Sequence, residues 1–297
     1  MALSRFFSSE KLCLFENLFV ILWRKKVFSM SNDITIIRAG LGTLSFLIKK
    51  EDGTNAFHPY KVKGEMSLAA NLRTAFKEQS YLKNETEGQT DDNEGRCAKL
   101  MVASPVVLIP ATDYNNTPDF NAEAMYSGVI SGRKGEEKIT CEVPELDAVA
   151  IFSVNSDLLM VVRDNFANVE VQNVIQPVWR HLYSRYYQSG QRRKLFAYFH
   201  DKTVDVCQFE QHRVRFANSF DATHAHDALY YILFVWKQLG MNQQEDDLFV
   251  IGDMPHEEWL RGRLGAYLSR VHDINPNADL NRSPLAQIEG MPFDLML

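Results

Sequence analysis

A chain of 297 residues is long for a single core and comfortable for two domains. Its 45% hydrophobic and 24% charged residues are ordinary globular values, and a formal net charge of -6 argues against a general polyanion binder, so no nucleic-acid partner is expected. Cys13, Cys97, Cys141 and Cys207 are widely separated and form no C-x-x-C pair, which points to reduced thiols in a cytoplasmic protein rather than to disulfides or a cysteine metal site.

Within residues 1–29, Leu12–Trp23 is apolar apart from Glu16 and Asn17, and Arg24-Lys25-Lys26 follows it. The run is too short for a bilayer span, which needs roughly twenty residues, and it lacks the layout of a secretory signal. Two readings stand. Met30 is the real start and the preceding segment is an artefact or a floppy extension, or the segment is an interfacial anchor with basic flanks. Membrane association is expected only under the second.

From Met30 the pattern is that of a folded domain. Ile34–Arg38 and Leu44–Lys49 read as strands joined across Gly40-Leu41-Gly42, and Phe57–Val62 as a third after the turn at Glu51–Thr54. Leu68, Leu72, Ala75 and Phe76 recur at helical spacing, with Ser67 as N-cap. Asn84–Arg96 is acidic and polar and reads as a solvated insertion. Strand character resumes at Leu100–Ala103; Pro105 and Pro110 limit regular structure beyond it, and Phe120, Ala124 and Met125 mark a short helix. Ala148–Val154 is a buried-strand run, and Asn155 or Ser156 caps a helix bearing Leu158, Leu159, Val162 and Phe166. Val169–Val174 is a strand, and Pro177 opens a helix to Tyr187 in which aromatics alternate with Arg180, His181 and Arg185. Such a helix packs its aromatics on a sheet and leaves its arginines in water.

Gln188–Lys194 reads as an interdomain turn. Leu195–His200 and Val204–Phe209 are strands joined at Asp201-Lys202, and Arg213–Phe220 is a third. Asp227–Leu239 is a helix apolar nearly all round, which places it in the cleft between layers or domains, and Gly240 ends it. Leu248–Gly252 is a buried strand, His256–Leu268 a helix, and the tail from Asp273 a loop with one more strand at Leu285–Ile288.

Thr35–Ala103 and Leu195–Gly252 therefore run alike: strand, strand, strand, helix, strand. That order is half of an actin-like ATPase core, so the expected fold is α/β, a duplicated actin-like (ribonuclease H-like) design of two lobes, each a mixed sheet with flanking helices. The expected division is an extension at 1–29, a first lobe at 30–190 with the acidic loop 84–96, and a second lobe at 191–297.

Several stretches carry a family resemblance: Phe216-Ala217-Asn218-Ser219-Phe220, Asp227 with Tyr230–Trp236, Glu245-Asp246-Asp247-Leu248 and Gly252-Asp253, with Leu44-Ser45-Phe46 and Ala103-Ser104-Pro105 in the first half. They resemble a family of unknown function, chiefly from Bacteroidetes, whose members have an actin-like ATPase fold. More distantly the chain is similar to the cytoplasmic actin-like proteins of pilus assembly and type II secretion. The resemblance implies two glycine turns that cradle phosphates, each preceded by an aspartate that holds magnesium. Here the first turn is Gly40-Leu41-Gly42-Thr43 with Arg38 about where the aspartate belongs, a cation that repels the metal. The second, His200-Asp201-Lys202-Thr203, has no glycine, and Gly252 stands alone where the adenosine loop expects a pair. Loss of metal coordination removes several kcal/mol of transition-state stabilisation. The sequence thus reads as a shared pocket stripped of the acidic groups that would grip magnesium, for which Asp201 and Thr203 compensate only in part, with no catalytic residue and no cofactor.

Thr223-His224-Ala225-His226-Asp227 contains His-x-His-Asp, but it sits at a helix start, where Asp221 or Thr223 caps the helix and Asp227 complements its dipole; no metal ligand is assigned. Cys207 and His200 lie on strand positions and read as packed. The expected function is a non-catalytic cytoplasmic scaffold or interaction module with an unknown protein partner. The alternative is an ATP-binding switch or weak ATPase, holding ATP with magnesium through Gly40, Gly42, Thr43, Asp201, Thr203 and Gly252.

Overall fold

Two sheets of matching topology organise the chain, described here from a computed structural model over residues 33–83, 96–117, 120–131, 134–187, 190–210, 213–280 and 283–297. Residues 1–29 and most of the acidic stretch 84–96 lie outside the described residues. In the first sheet β1 (Ile34–Ala39) pairs antiparallel with β2 (Leu44–Lys49), which pairs with β3 (Asn55–Tyr60). On its other edge β1 runs parallel to β4 (Cys97–Val102), and β4 to β8 (Asn168–Asn173). The second sheet repeats this with β9 (Lys194–His200), β10 (Thr203–Glu210), β11 (Arg213–Asp221), β12 (Asp247–Gly252) and β13 (Val271–Asp273), in the order β11-β10-β9-β12-β13. The fold is the duplicated actin-like α/β design.

The alternation of side chains along each strand decides what covers each face. On one face of the first sheet Ile37, Phe46, Ala98 and Leu100 are buried with Leu72 and Ala75 of α1 (Leu68–Glu78) and with Leu158, Leu159 and Val162. Ser67 caps α1 by accepting from the Ala70 amide at 3.2 Å, as its place before the apolar spacing predicts. On the opposite face lie Ile36, Leu47 and Met101, with Arg38 at the same phase as Ile36. The second sheet buries Leu195, Ala197, Val204, Leu248 and Val250 on one face and Phe196, Tyr198, Cys207 and Ile251 on the other.

Between β4 and β8 the chain builds a third sheet, β5 (Val106–Pro110), β7 (Ala148–Asn155) and β6 (Glu136–Val143), in the order β5-β7-β6. Only β7 was legible, because β6 is a half-exposed strand rich in charge and β5 is bracketed by Pro105 and Pro110. Short helices α2 (Ala111–Asn116) and α3 (Ala122–Val129) flank it, and Tyr126 of α3 packs on Ile109 and Ile151. The helix α4 (Ser156–Asn165) then begins with Asn155 accepting from the Leu158 amide at 2.9 Å.

Four expectations need correction. The helix opened at Pro177 starts two residues earlier: α5 spans Ile175–Leu182, with Pro177 in its first turn, where a missing N–H costs nothing. A π turn, Tyr183–Tyr187, follows it. α6 (Ala225–Gln238) does not lie between layers; it covers the outer face of the second sheet, leaving Tyr230 and Phe234 61% and 44% exposed. Their rings stack on each other at 5.9 Å, and Tyr231 stacks on Phe220 at 4.6 Å, so the apolar surplus is partly self-covered. The inner position belongs to α5, whose Ile175, Val178, Trp179 and Leu182 join Phe196 and Tyr198 of the second sheet to Ala148 and Ala150 of the third. The cap of α6 is His224 without a side-chain bond, while Asp221 accepts from the Thr223 amide one turn earlier. Finally, Pro284–Gln287 is a 3-10 turn instead of a strand, since Pro284 has no N–H for a ladder. The helix α7 (Glu257–Tyr267) and a single turn, α8 (Pro276–Asp279), precede it.

Candidate functional site

The two equivalent hairpin tips meet. β9 and β10 are joined by Asp201 and Lys202 at φ 45° and 63°, the left-handed pair that a tight two-residue hairpin demands. Aspartate tolerates that region; lysine is held there at a cost of about 1 kcal/mol. Substituting Lys202→Gly is therefore expected to raise the unfolding free energy by about 0.5–1 kcal/mol in urea titration, whereas a loss would mean that the lysine side chain holds the turn. The conformation directs the Asp201 carboxylate across to the first hairpin, where Thr43 Oγ1 donates to Asp201 Oδ1 at 2.6 Å. Gly40 makes the approach possible, because a Cβ there would sit 2.0 Å from Thr43 Oγ1 and 2.1 Å from Asp201 Oδ1.

Behind this contact Arg38, only 4% exposed, joins three parts of the chain. Its Nε donates to Asp294 Oδ1 and Oδ2 at 2.8 and 3.0 Å. Its Nη2 donates to Asp294 Oδ2 at 2.8 Å and to Asp201 Oδ2 at 2.7 Å. Tyr198 completes the set, its hydroxyl donating to Asp294 Oδ2 at 2.8 Å. Burial opposes the charge on Arg38, but the Asp294 carboxylate outweighs it and raises the guanidinium pKa. Burial likewise works against ionised Asp201, yet His200, Arg38 and Thr43 together hold its pKa well below the usual carboxylate range.

His200 links this cluster to a third aspartate. Its Nδ1 lies 3.1 Å from Asp201 Oδ2 and its Nε2 2.5 Å from Asp205 Oδ2. Burial disfavours the imidazolium, but the two carboxylates prevail and push the pKa up to about 9, so both ring nitrogens donate at neutral pH. Ser219 donates its hydroxyl to Asp205 Oδ1. The order is serine to aspartate to histidine, so the histidine is not placed to take the serine's proton, and no nucleophile relay results. A cavity of about 360 Å³ opens beside the cluster, lined by Leu41, Asn155, Asn173, His200, Asp205 and Ser219 among others.

Of the residues predicted from sequence, Gly40, Thr43 and Asp201 come together at the tips. Thr203 sits one step away on β10, its hydroxyl bound to the His200 carbonyl at 2.8 Å. Gly42 turns outward at φ 82° with nothing around its Cβ position, and Gly252 is set apart against β9, where a Cβ would fall 2.1 Å from the Phe199 carbonyl. Three acids gather at and behind the hairpin tips: Asp201 and Asp294 are paired with Arg38, and Asp205, bound to His200, lines the cavity. His200, at the end of β9, reads as packed from sequence, and Asp205 and Ser219, paired across β10 and β11, are not singled out there as site residues. Asp294 had no local signal at all.

Elsewhere, His226 leans on Trp259 at 4.3 Å. Among the described residues no group of three or more His, Cys, Asp and Glu is arranged to hold a metal ion. Cys207 is buried, which pushes its thiol pKa well up, and His200 is engaged with aspartates rather than with it. The arginines of the aromatic stretch pair with acids, Arg180 with Glu145 and Arg185 with Asp279.

Residues 25–271 match the family described as "Protein of unknown function (DUF3822)". Among solved structures, the chain is similar to a protein with actin-like ATPase fold and unknown function from Bacteroides thetaiotaomicron, at TM-score 0.72 and 23% identity over 89% of this chain and 98% of that one. It is also similar to a chain of the PilM–PilN type IV pilus biogenesis complex, at TM-score 0.53 and 12% identity over 88% and 94% of the two chains. Identities this low speak for the fold alone. No functionally curated protein matches. No helix among the described residues is long and apolar enough to cross a membrane.

Proposed function

The chain belongs to the DUF3822 family of proteins of unknown function, and we propose that it is a non-catalytic actin-like-fold module that works by binding a protein partner. The observation that carries this is the Arg38 cluster. A magnesium nucleotide in such a fold needs separated hairpin tips and free carboxylates. Here the tips touch through Thr43 and Asp201, Arg38 fills the space behind them, and the carboxylates of Asp201 and Asp294 are taken up by one guanidinium. The residues present do not fit magnesium and a triphosphate. In this reading the lobes divide at about residue 190 and the cluster clamps one to the other. A protein partner is supported by the PilM–PilN neighbour, which is seen in a complex with another protein. Free thiols at Cys141 and Cys207 support a cytoplasmic setting.

The competing reading is an ATP-binding switch built on Gly40, Gly42, Thr43, Asp201, Thr203 and Gly252, and it requires Arg38 to leave Asp201. Thermal denaturation with millimolar magnesium-ATP separates the two. A ligand at 100 times its Kd adds about 2.7 kcal/mol, which is readily seen, so no shift in melting temperature is expected. A clear nucleotide-dependent rise would replace this reading with the switch.

A further inference from the structure

The last residues of the chain form a strap that is held as a bound peptide would be held. The amides of Ala286, Ile288, Met291 and Leu295 bond to carbonyls at Ser283, Leu285, Ile288 and Pro292, inside the strap itself. What attaches it is mainly side chains, with the Asp294 backbone also bonded to the Tyr198 hydroxyl. Leu285, Met291 and Leu295 are buried on the face of the first sheet that carries Ile36, Leu47 and Met101. Phe293, at the start of α9 (Phe293–Met296), points the other way, its ring meeting His181 at 5.5 Å and Tyr198 at 6.1 Å. Between these anchors Asp294, 1% exposed, delivers its carboxylate to Arg38 and the Tyr198 hydroxyl.

An apolar anchor, a carboxylate in a bidentate arginine clamp and a second apolar anchor are the elements of short-segment recognition. The groove also supplies a fixed charge, and a buried guanidinium demands an acid opposite it, a place that Asp294 fills here. We infer that the groove formed by Arg38, Tyr198, Ile36, Leu47 and Met101 docks a linear segment of a partner protein that presents an aspartate or glutamate between large apolar residues. The strap is the intramolecular competitor for that segment. Because Arg38 Nη2 also holds Asp201, exchange of the strap for a partner is felt directly at the contact between the hairpins. This deepens the protein-partner reading by naming the class of segment and the place where it binds.

The test uses the full chain and a fluorescent peptide with the sequence of residues 288–297. A tethered strap competes at an effective concentration in the millimolar range. Anisotropy titration is therefore expected to show the peptide binding the Asp294→Asn chain at least about tenfold more tightly than the wild-type chain, because charge-assisted pairing favours the peptide over the altered strap. The same peptide carrying Asp294→Asn should lose about tenfold on that chain. Equal affinity for both peptides, or for both chains, overturns the inference. Should the variant fail to fold, hydrogen exchange on the wild-type chain decides: saturating peptide is expected to expose the amides of residues 285–297, and unchanged protection overturns the inference. A dimer formed by strap exchange in sedimentation would assign the groove to a second copy and likewise overturn it. None of these readouts involves nucleotide, so their failure leaves the non-catalytic reading to stand or fall on the thermal shift.

Discussion

Replacing Arg38 with methionine is expected to destabilise the protein by about 3–5 kcal/mol, the range seen when one partner of a buried pair is removed. The methionine keeps most of the side-chain volume, so the loss isolates the charge and its donors. It strands Asp294, buried at 1% exposure, with only the Tyr198 hydroxyl, and it deprives Asp201 of its guanidinium. For a chain of this size each kcal/mol moves the melting temperature by about 2–4 °C, so a fall of about 10 °C is expected in thermal circular dichroism. The double variant Arg38→Met with Asp294→Leu should recover much of the loss, since an apolar pair replaces a buried ion pair at little or no cost. A single-variant loss below about 1 kcal/mol would show that the cluster does not hold the two sheets together.

The second large effect is a loss of stability on the alkaline side. His200 has its pKa raised from 6.5 to about 9 by Asp201 and Asp205 against the opposing effect of burial. A group whose folded pKa is raised binds its proton more tightly in the native state. Its contribution is complete below pH 6.5 and is lost as pH climbs through about 9. That difference corresponds to about 3 kcal/mol. Asp201 acts in the opposite sense: its folded pKa lies below the ordinary 3.8, so its share is present above that pH and is lost as acid is added. Stability should therefore be greatest between about pH 4 and 6.5 and decline from there to pH 9. Urea titrations at half-unit intervals read this directly. In a His200→Gln chain the alkaline limb should flatten, and an equally steep decline in that chain would assign the pH dependence to other groups.

Local features of the chain were legible because their causes are local. Ser67 and Asn155 lie just before apolar runs of helical spacing, and each caps the helix after it. The repeated order of three strands, helix and strand was readable in both halves and corresponds to two sheets of matching topology. Where a segment's character depends on what covers it, the reading failed. β6 is charged and half-exposed because only one of its faces meets protein, and α6 carries more apolar surface than its sheet can cover. Hydropathy in a window cannot distinguish a helix buried between layers from one whose surplus aromatics cover each other.

The sequence alone determined the α/β class, the duplicated order, the caps at Ser67 and Asn155 and the presence of a cation, Arg38, just before the first glycine turn. Only tertiary structure decided what that cation does. Arg38 and Asp294 are separated by 256 positions, Thr43 and Asp201 by 158, and no local preference links either pair. Their meeting comes from stacking two equivalent sheets tip to tip and folding the strap back across the first. A buried guanidinium must then find carboxylates, and it takes those that the packing brings within reach.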